Sequence, residues 1–227
     1  MARLILFDID MTLITTTGAG RTAIGTAFGR LYGIEKPTDG VSFDGRTDHA
    51  IFTEIIQKHR LANGDLEAVY RKATEAYLAE LPNSLASKAG TVLPGVPELL
   101  AALGESRGGI GLATGNSRRG ARVKLSYFGL WERFAGGGFG DVTPIRAEVV
   151  RAGMEELAGI LELDANPFDT IVLGDTPLDV DAAHKAGTRA LAVATGKFTV
   201  AELEASGAEW VMEDLADTSR VLEILGS

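Results

Sequence analysis

The sequence predicts a doubly wound α/β core on a parallel sheet, with an all-helical domain inserted after the first strand. Two observations carry the core. Short runs that are apolar at almost every position recur along the chain, and amphipathic helical patterns separate them. Such runs are strands buried on both faces, as in parallel sheets whose crossovers are helices. A third observation places the insertion. From about residue 17 to residue 85 one helical pattern follows another with no apolar strand between them.

The first strand is Leu4-Ile5-Leu6-Phe7, apolar throughout. Further runs follow at 109–113, 170–173 and 190–193, with a weaker one at 210–212. Helical patterns lie at 96–105, 118–128, 146–161, 179–186 and 199–205, so strands and helices alternate as in doubly wound folds. Inside the insertion, 22–32 reads as helical. So does 48–60, with Ile51, Phe52, Ile55 and Ile56 on one face. The third helix, 66–81, carries Leu66, Val69, Tyr70, Ala73, Tyr77 and Leu81 on one face. Thr15-Thr16-Thr17-Gly18 and the stretch 83–95, with Gly90, Pro94 and Gly95, read as hinges. The expected division is a core of residues 1–14 and 90–227 and a helical domain of residues 15–89.

Composition narrows the function. The 227 residues suffice for one substantial core and a smaller second domain. Hydrophobic residues at 45% and charged residues at 23% are ordinary for a globular chain, and no low-complexity tract suggests disorder. A formal charge of −9 with no basic stripe argues against nucleic acid as a partner, although a local pocket can still be positive. The absence of cysteine excludes disulfides and thiolate metal sites. His49, His59 and His184 stand singly without zinc spacing and are not expected to be catalytic. The apolar run at 4–7 is too short for a signal peptide or a membrane span, so the expected compartment is the cytoplasm and no membrane contact is expected. A monomer or a homodimer fits equally well.

In open α/β sheets ligands bind beyond the carboxyl ends of the strands. Three of those ends are rich in polar groups. After 4–7 comes Asp8-Ile9-Asp10-Met11-Thr12, after 109–113 comes Thr114-Gly115-Asn116, and after 170–173 comes Gly174-Asp175-Thr176-Pro177-Leu178-Asp179.

These residues resemble the signature of the haloacid dehalogenase superfamily, the aspartate-nucleophile phosphatases. Asp8, Asp10 and Thr12 match its DxDx[TV] motif, Thr114 its strand-terminal Thr or Ser, and Asp175 with Asp179 its GDxxxD acidic pair. The usual lysine of its third motif is replaced by a candidate arginine, Arg146. The resemblance covers nearly the whole chain, in the family's order. The helical insertion resembles the small cap of the phosphoglycolate-phosphatase-like branch. Phe43-Asp44-Gly45-Arg46-Thr47-Asp48 resembles that cap's substrate loop, which makes Gly45 and Arg46 candidate substrate contacts.

The resemblance implies hydrolysis of a small phosphorylated metabolite, a phosphoglycolate-like organophosphate among the possibilities, through an aspartyl-phosphate on Asp8 with Mg²⁺. A carboxylate is a competent nucleophile toward phosphorus. It also repels a phosphate, by roughly 4 kcal/mol per pair of unit charges at about 4 Å and an effective dielectric of 20. A cation must offset this. Asp8, the carbonyl of Asp10, Asp175 and Asp179 form the hard oxygen set that suits Mg²⁺. By the same resemblance Asp10 is the general acid for the leaving group and then the base for water. A neighbouring like charge and burial are expected to raise its pKa. Thr114 and the amides of Gly115 and Asn116 would hold phosphoryl oxygens at a helix N-terminus. Arg146 would supply a permanent charge to the oxyanion. Arg21 is expected on a solvated helix face. A β-phosphoglucomutase-like phosphomutase and a non-catalytic phosphometabolite-binding protein of the same fold are the alternatives. A dehalogenase is disfavoured because Asp10 is present.

Overall fold

The computed structural model describes residues 3–62, 64–104, 109–141, 143–163 and 166–226. The first strand, β1 (Leu4–Phe7), is buried at every position. A two-residue strand β2 (Ile14–Thr15) leads into three helices, α1 (Ala19–Tyr32), α2 (Asp48–Lys58) and α3 (Leu66–Ala86). The chain returns through β3 (Thr91–Val92), then α4 (Val96–Gly104), β4 (Gly109–Thr114), α5 (Arg118–Tyr127) and β5 (Gly137–Phe139). The last third comprises α6 (Arg146–Leu161), β6 (Thr170–Gly174), α7 (Pro177–Lys185), β7 (Arg189–Val193), α8 (Val200–Ala205), β8 (Trp210–Met212) and α9 (Thr218–Leu225). Among the described residues no helix is long and apolar enough to cross a membrane.

Six strands form one parallel sheet in the order β5-β4-β1-β6-β7-β8. The predicted doubly wound α/β architecture is therefore the one observed, and alternation along β1 explains the winding. Successive side chains of a strand point to opposite faces. Ile5 and Phe7 join a core with Leu99 and Leu103 of α4, Leu125 of α5 and Val221 of α9. Leu4 and Leu6 join another with Val150 and Leu157 of α6, Val180 of α7 and Leu203 of α8. A strand must be apolar at every position to serve two cores at once.

The insertion has a core of its own. Ile24 and Phe28 of α1, Phe52 and Ile56 of α2, and Tyr77 and Leu81 of α3 pack together, with Phe52 edge-on to both Phe28 and Tyr77. β2 and β3 pair antiparallel, Ile14 with Val92 and Thr15 with Thr91, so the strands into and out of the insertion form a two-stranded neck. Helix α3 runs past the predicted boundary at 81. Its burial pattern continues through Ser84 and Leu85 and holds the last turn despite Pro82. Three elements went unpredicted: the neck, β5 and α9. The predicted helix end at Glu105 lies outside the described residues.

Candidate active site

β1 lies in the middle of the sheet, between β4 and β6, and the chain winds away from it in both directions. That is the topological switch point where a crevice opens at the carboxyl edge. Phe7 pairs with Leu112 on one side and Leu173 on the other. Continued by one residue, this register sets Asp8 beside Ala113 and Gly174, with Thr114 and Asp175 flanking it one step further out. The amide of Asp8 donates to the carbonyl of Leu173 at 2.8 Å, so the nucleophile candidate still sits in the ladder.

Asp8, Asp10, Gly115, Asn116, Arg146 and Asp175 line one cavity of about 300 Å³ between the sheet edge and the helical insertion. Arg146, at the first position of α6, reaches Asp8 Oδ1 at 3.2 Å and also pairs with Asp179 Oδ1. The other oxygen of Asp179 closes a capping box: it accepts from the Thr176 amide at 3.0 Å and the Thr176 hydroxyl at 2.7 Å. Both oxygens of Asp179 are thus engaged by the protein. Thr114 is fully buried and accepts from the Asn116 side chain at 2.9 Å and its amide at 3.3 Å. Gly115 permits close approach, since a Cβ there would run into the carbonyl of Arg46 and meet Arg146 Nη1 at 2.5 Å.

The cap-loop candidates divide. Gly45, at φ 65°, lies against Thr176, whose hydroxyl would be 2.6 Å from a Cβ; only glycine suits both the turn and the contact. Arg46 brings its carbonyl to Gly115, but its guanidinium pairs with Glu54 and donates to the carbonyl of Ser42. Its charge is spent within the insertion. Arg21 is exposed, as expected, and also reaches the mouth of the cavity, stacked 4.0 Å over Phe43 and donating to the Val41 carbonyl.

Charge is concentrated at the sheet edge. Burial pushes the Asp8 carboxyl up to about 6; Arg146 opposes this, while Asp179 and Asp10 add to it. Asp175 is driven up to about 9 by burial and then by its neighbours Asp179 and Asp8. Burial would discharge Arg146, but Asp179 and Asp8 overcome that and hold its guanidinium charged. Carboxylate oxygens of Asp8, Asp175 and Asp179 lie within 4.8 Å of one another. Three buried acids with one arginine among them form a hard, under-neutralised oxygen set, and this donor set fits a divalent cation such as Mg²⁺. Asp8 and Asp175 are the freer donors, because Asp179 is committed to Arg146 and Thr176.

Asp10 departs from expectation. Burial acts to raise its pKa, yet the carboxyl is held below its usual range by Lys124 and by Asn116. Lys124 Nζ lies 2.6 Å from Asp10 Oδ2, and Asn116 Nδ2 donates to the same oxygen at 2.8 Å. The lysine side chain is 6% exposed. Sequence reading missed it, although a signal was there: Lys124 falls on the face of α5 that carries Ala121 and Leu125, and a lone charge on an apolar stripe needs a buried partner.

The haloacid dehalogenase-like hydrolase model matches residues 5–193, from β1 through β7. The chain belongs to the haloacid dehalogenase-like hydrolase family. Solved structures extend the likeness. A predicted phosphoglycolate phosphatase from Haemophilus somnus 129pt is 19% identical, with 97% of each chain covered and a TM-score of 0.69. A predicted phosphatase from Clostridium acetobutylicum is 19% identical over 98% of this chain and 99% of that one, with a TM-score of 0.70. A β-phosphoglucomutase from Clostridium difficile is 18% identical over 100% of this chain and 98% of that one, with a TM-score of 0.69. At these identities the likeness is one of fold. No curated protein matches the chain.

Proposed function

We propose that this haloacid dehalogenase-like protein is a phosphomonoester hydrolase acting on a small phosphorylated metabolite through an aspartyl-phosphate on Asp8. The observation that carries the reading is the setting of Asp8. It ends the central strand, faces the Arg146 guanidinium at 3.2 Å, and opens on a cavity shared with a second carboxyl, Asp10. Nucleophile, permanent cation and a proton-handling carboxyl are the parts that phosphoryl transfer requires.

Each residue then has a task. Arg146 neutralises the approach of a phosphate to Asp8 and is itself held by Asp179. Gly115 and Asn116 line the cavity where the phosphoryl oxygens would sit, and Thr114, buried behind them, holds Asn116 in place. Asp10 gives a proton to the leaving oxygen and afterwards takes one from water. Its pairing with Lys124 leaves it ionised in the free protein, which suits the second half-reaction. The negative phosphoryl group arriving beside it shifts it toward the protonated form that the first half needs. Mg²⁺ held by Asp8 and Asp175, with the carbonyl of Asp10, would lower the charge repulsion between nucleophile and phosphate. Residues 15–89 act as a cap that closes the cavity over substrates of limited size.

The test is phosphate release from a panel of phosphorylated metabolites with Mg²⁺, using Asp8→Asn as the blank. Turnover should fall by at least about 10⁴-fold in the variant, the scale expected for loss of a covalent nucleophile, while circular dichroism stays unchanged. Wild-type-like release by Asp8→Asn would overturn the mechanism, and an isomerised sugar phosphate in place of free phosphate would make the protein a mutase.

A further inference from the structure

One tie between cap and core is polar and buried, and its cap member Asp48 and its core partner Ser117 have no task in the reaction above. Asp48 opens cap helix α2 and is 8% exposed. Its carboxylate accepts from the amide of Ser117, the N-cap of core helix α5, at 2.7 Å. Its own amide donates to the carbonyl of Gly115 at 2.6 Å, and the next amide, His49, donates to Gly140 at 2.9 Å. Helix N-termini have amides without partners inside the helix. Here the first amides of α2 reach core carbonyls, while the amide that begins α5 reaches a cap carboxylate.

What lies between these bonds is the loop 115–117. Asp48 grips it at Gly115 and Ser117, and the Gly140 amide grips it from the core side at the carbonyl of Asn116, at 2.8 Å. Asn116 therefore has both backbone neighbours pinned. Its side chain in turn holds Asp10 at 2.8 Å and Thr114 at 2.9 Å. Asp48 has no direct partner among the ion pairs of the described residues; Lys124, already on Asp10, supplies the nearest favourable charge. Burying a carboxylate on the amide and hydroxyl of one residue, Ser117, without a paired cation is costly. A surface tie between the same two bodies, Lys197 with Asp44, is exposed and carries no such cost.

We propose that Asp48 is a positioning residue for Asp10: by docking on Ser117 it fixes the 115–117 loop, and through Asn116 the acid, so that Asp10 is placed for the leaving group only when the cap is down. This rests on the hydrolase reading above and adds a dependence of the acid on cap closure. A cap that opens carries Asp48 away and frees the loop; a cap that closes over a substrate restores the acid in the same movement.

The test compares Asp48→Ala with Asp48→Asn on two substrates: an alkyl phosphate that the wild type hydrolyses, and p-nitrophenyl phosphate, whose leaving group departs without a proton. Asp48→Ala should lower kcat/KM for the alkyl ester about tenfold or more beyond its effect on the aryl ester. Asp48→Asn keeps an acceptor for the Ser117 amide and should recover most of that loss. Equal losses on both substrates would reduce Asp48 to a structural residue and overturn the proposal. Hydrogen exchange of residues 115–120 gives a readout independent of turnover. Protection should drop in Asp48→Ala and return in Asp48→Asn, and unchanged protection in Asp48→Ala overturns the tether. A wild type that releases no phosphate from any ester would instead overturn the hydrolase reading, and the acid's role with it, while loss of protection would leave the tether standing.

Discussion

The cavity has two walls built by different means. On the sheet wall, Asp8 and Asp175 follow the last residues of β1 and β6, with Thr114, the buried last residue of β4, behind them, and hydrogen-bond register places all three. On the helical wall, Asp48, Arg21 and Tyr77 come from the cap and Lys124 from α5, and helix packing places them. Register is quantised: a strand shifted by one residue would bury the wrong face. Helix docking has no such step, so on the reading proposed above the cap's residues shift with cap closure while the sheet wall does not. Reaction chemistry belongs on the first wall, and alignment and selection on the second.

The sharpest way to break this division is at Arg146, the cation that helix α6 brings to the sheet wall's acids. Arg146→Ala leaves Asp8 and Asp179 buried without their shared counter-charge, and kcat/KM should fall by about 10³-fold or more on every ester. Arg146→Lys should recover part of it, because a lysine keeps the charge but loses the guanidinium fork. A loss that depended on the leaving group would move Arg146 to the wrong side of the comparison.

Lys124, on the helical wall, should behave differently. Lys124→Met keeps most of the side-chain volume and removes the cation from Asp10 Oδ2. The expected loss is about 10- to 100-fold in kcat for an alkyl phosphate, smaller for p-nitrophenyl phosphate. Steady-state kinetics on the two esters measures it. A uniform loss as deep as that of Arg146→Ala would show that both walls serve the same step.

The same division explains what could be read from the sequence. Leu4 to Phe7 declare a doubly buried strand by having no polar position, and the acids that follow stand out because nothing else interrupts such a run so abruptly. Asp8, Thr114, Asp175 and Asp179 were legible as candidates for that reason, and Arg146 only through the third motif of the family resemblance. β5 was not: Gly137-Gly138-Phe139 offers a single side chain, too few to show a period. The neck strands, two residues each, have the same defect. Asp48 was hidden by its plausibility. An acid in the first turn of a helix is favourable on local grounds alone, and only the docked cap shows it facing the amide of Ser117. Arg21 lies on the solvated face expected of it, and only its contacts with Phe43 and Val41, which join segments far apart in sequence, escaped the reading.

The smallest expected effect separates the walls by their buried acids. In metal-free protein Asp8 and Asp175 carry raised pKa values on the sheet wall, from burial first and then repulsion by Asp179, and Asp48 carries one on the helical wall, from burial. A carboxyl whose folded-state pKa is raised lends stability below its unfolded pKa, and that stability is lost as pH rises through the folded value. The carboxylates held low by partners, such as Asp10 and Glu156, work in the opposite sense but finish titrating on the acid side. With Asp8 at about 6 and Asp175 at about 9, the Tm of metal-free protein should therefore decline as pH rises from 5.5 to 8.5, chiefly through Asp175. Saturating Mg²⁺ should remove the part owed to Asp8 and Asp175, because a bound cation favours their ionised forms. Asp48, shifted in the same direction by burial, adds to the decline, and Asp48→Asn should remove its share. Thermal melts in chelator and in Mg²⁺ across that range decide the point. A Tm that rises with pH in chelator would mean that the sheet wall's acids are better neutralised than Arg146 alone allows.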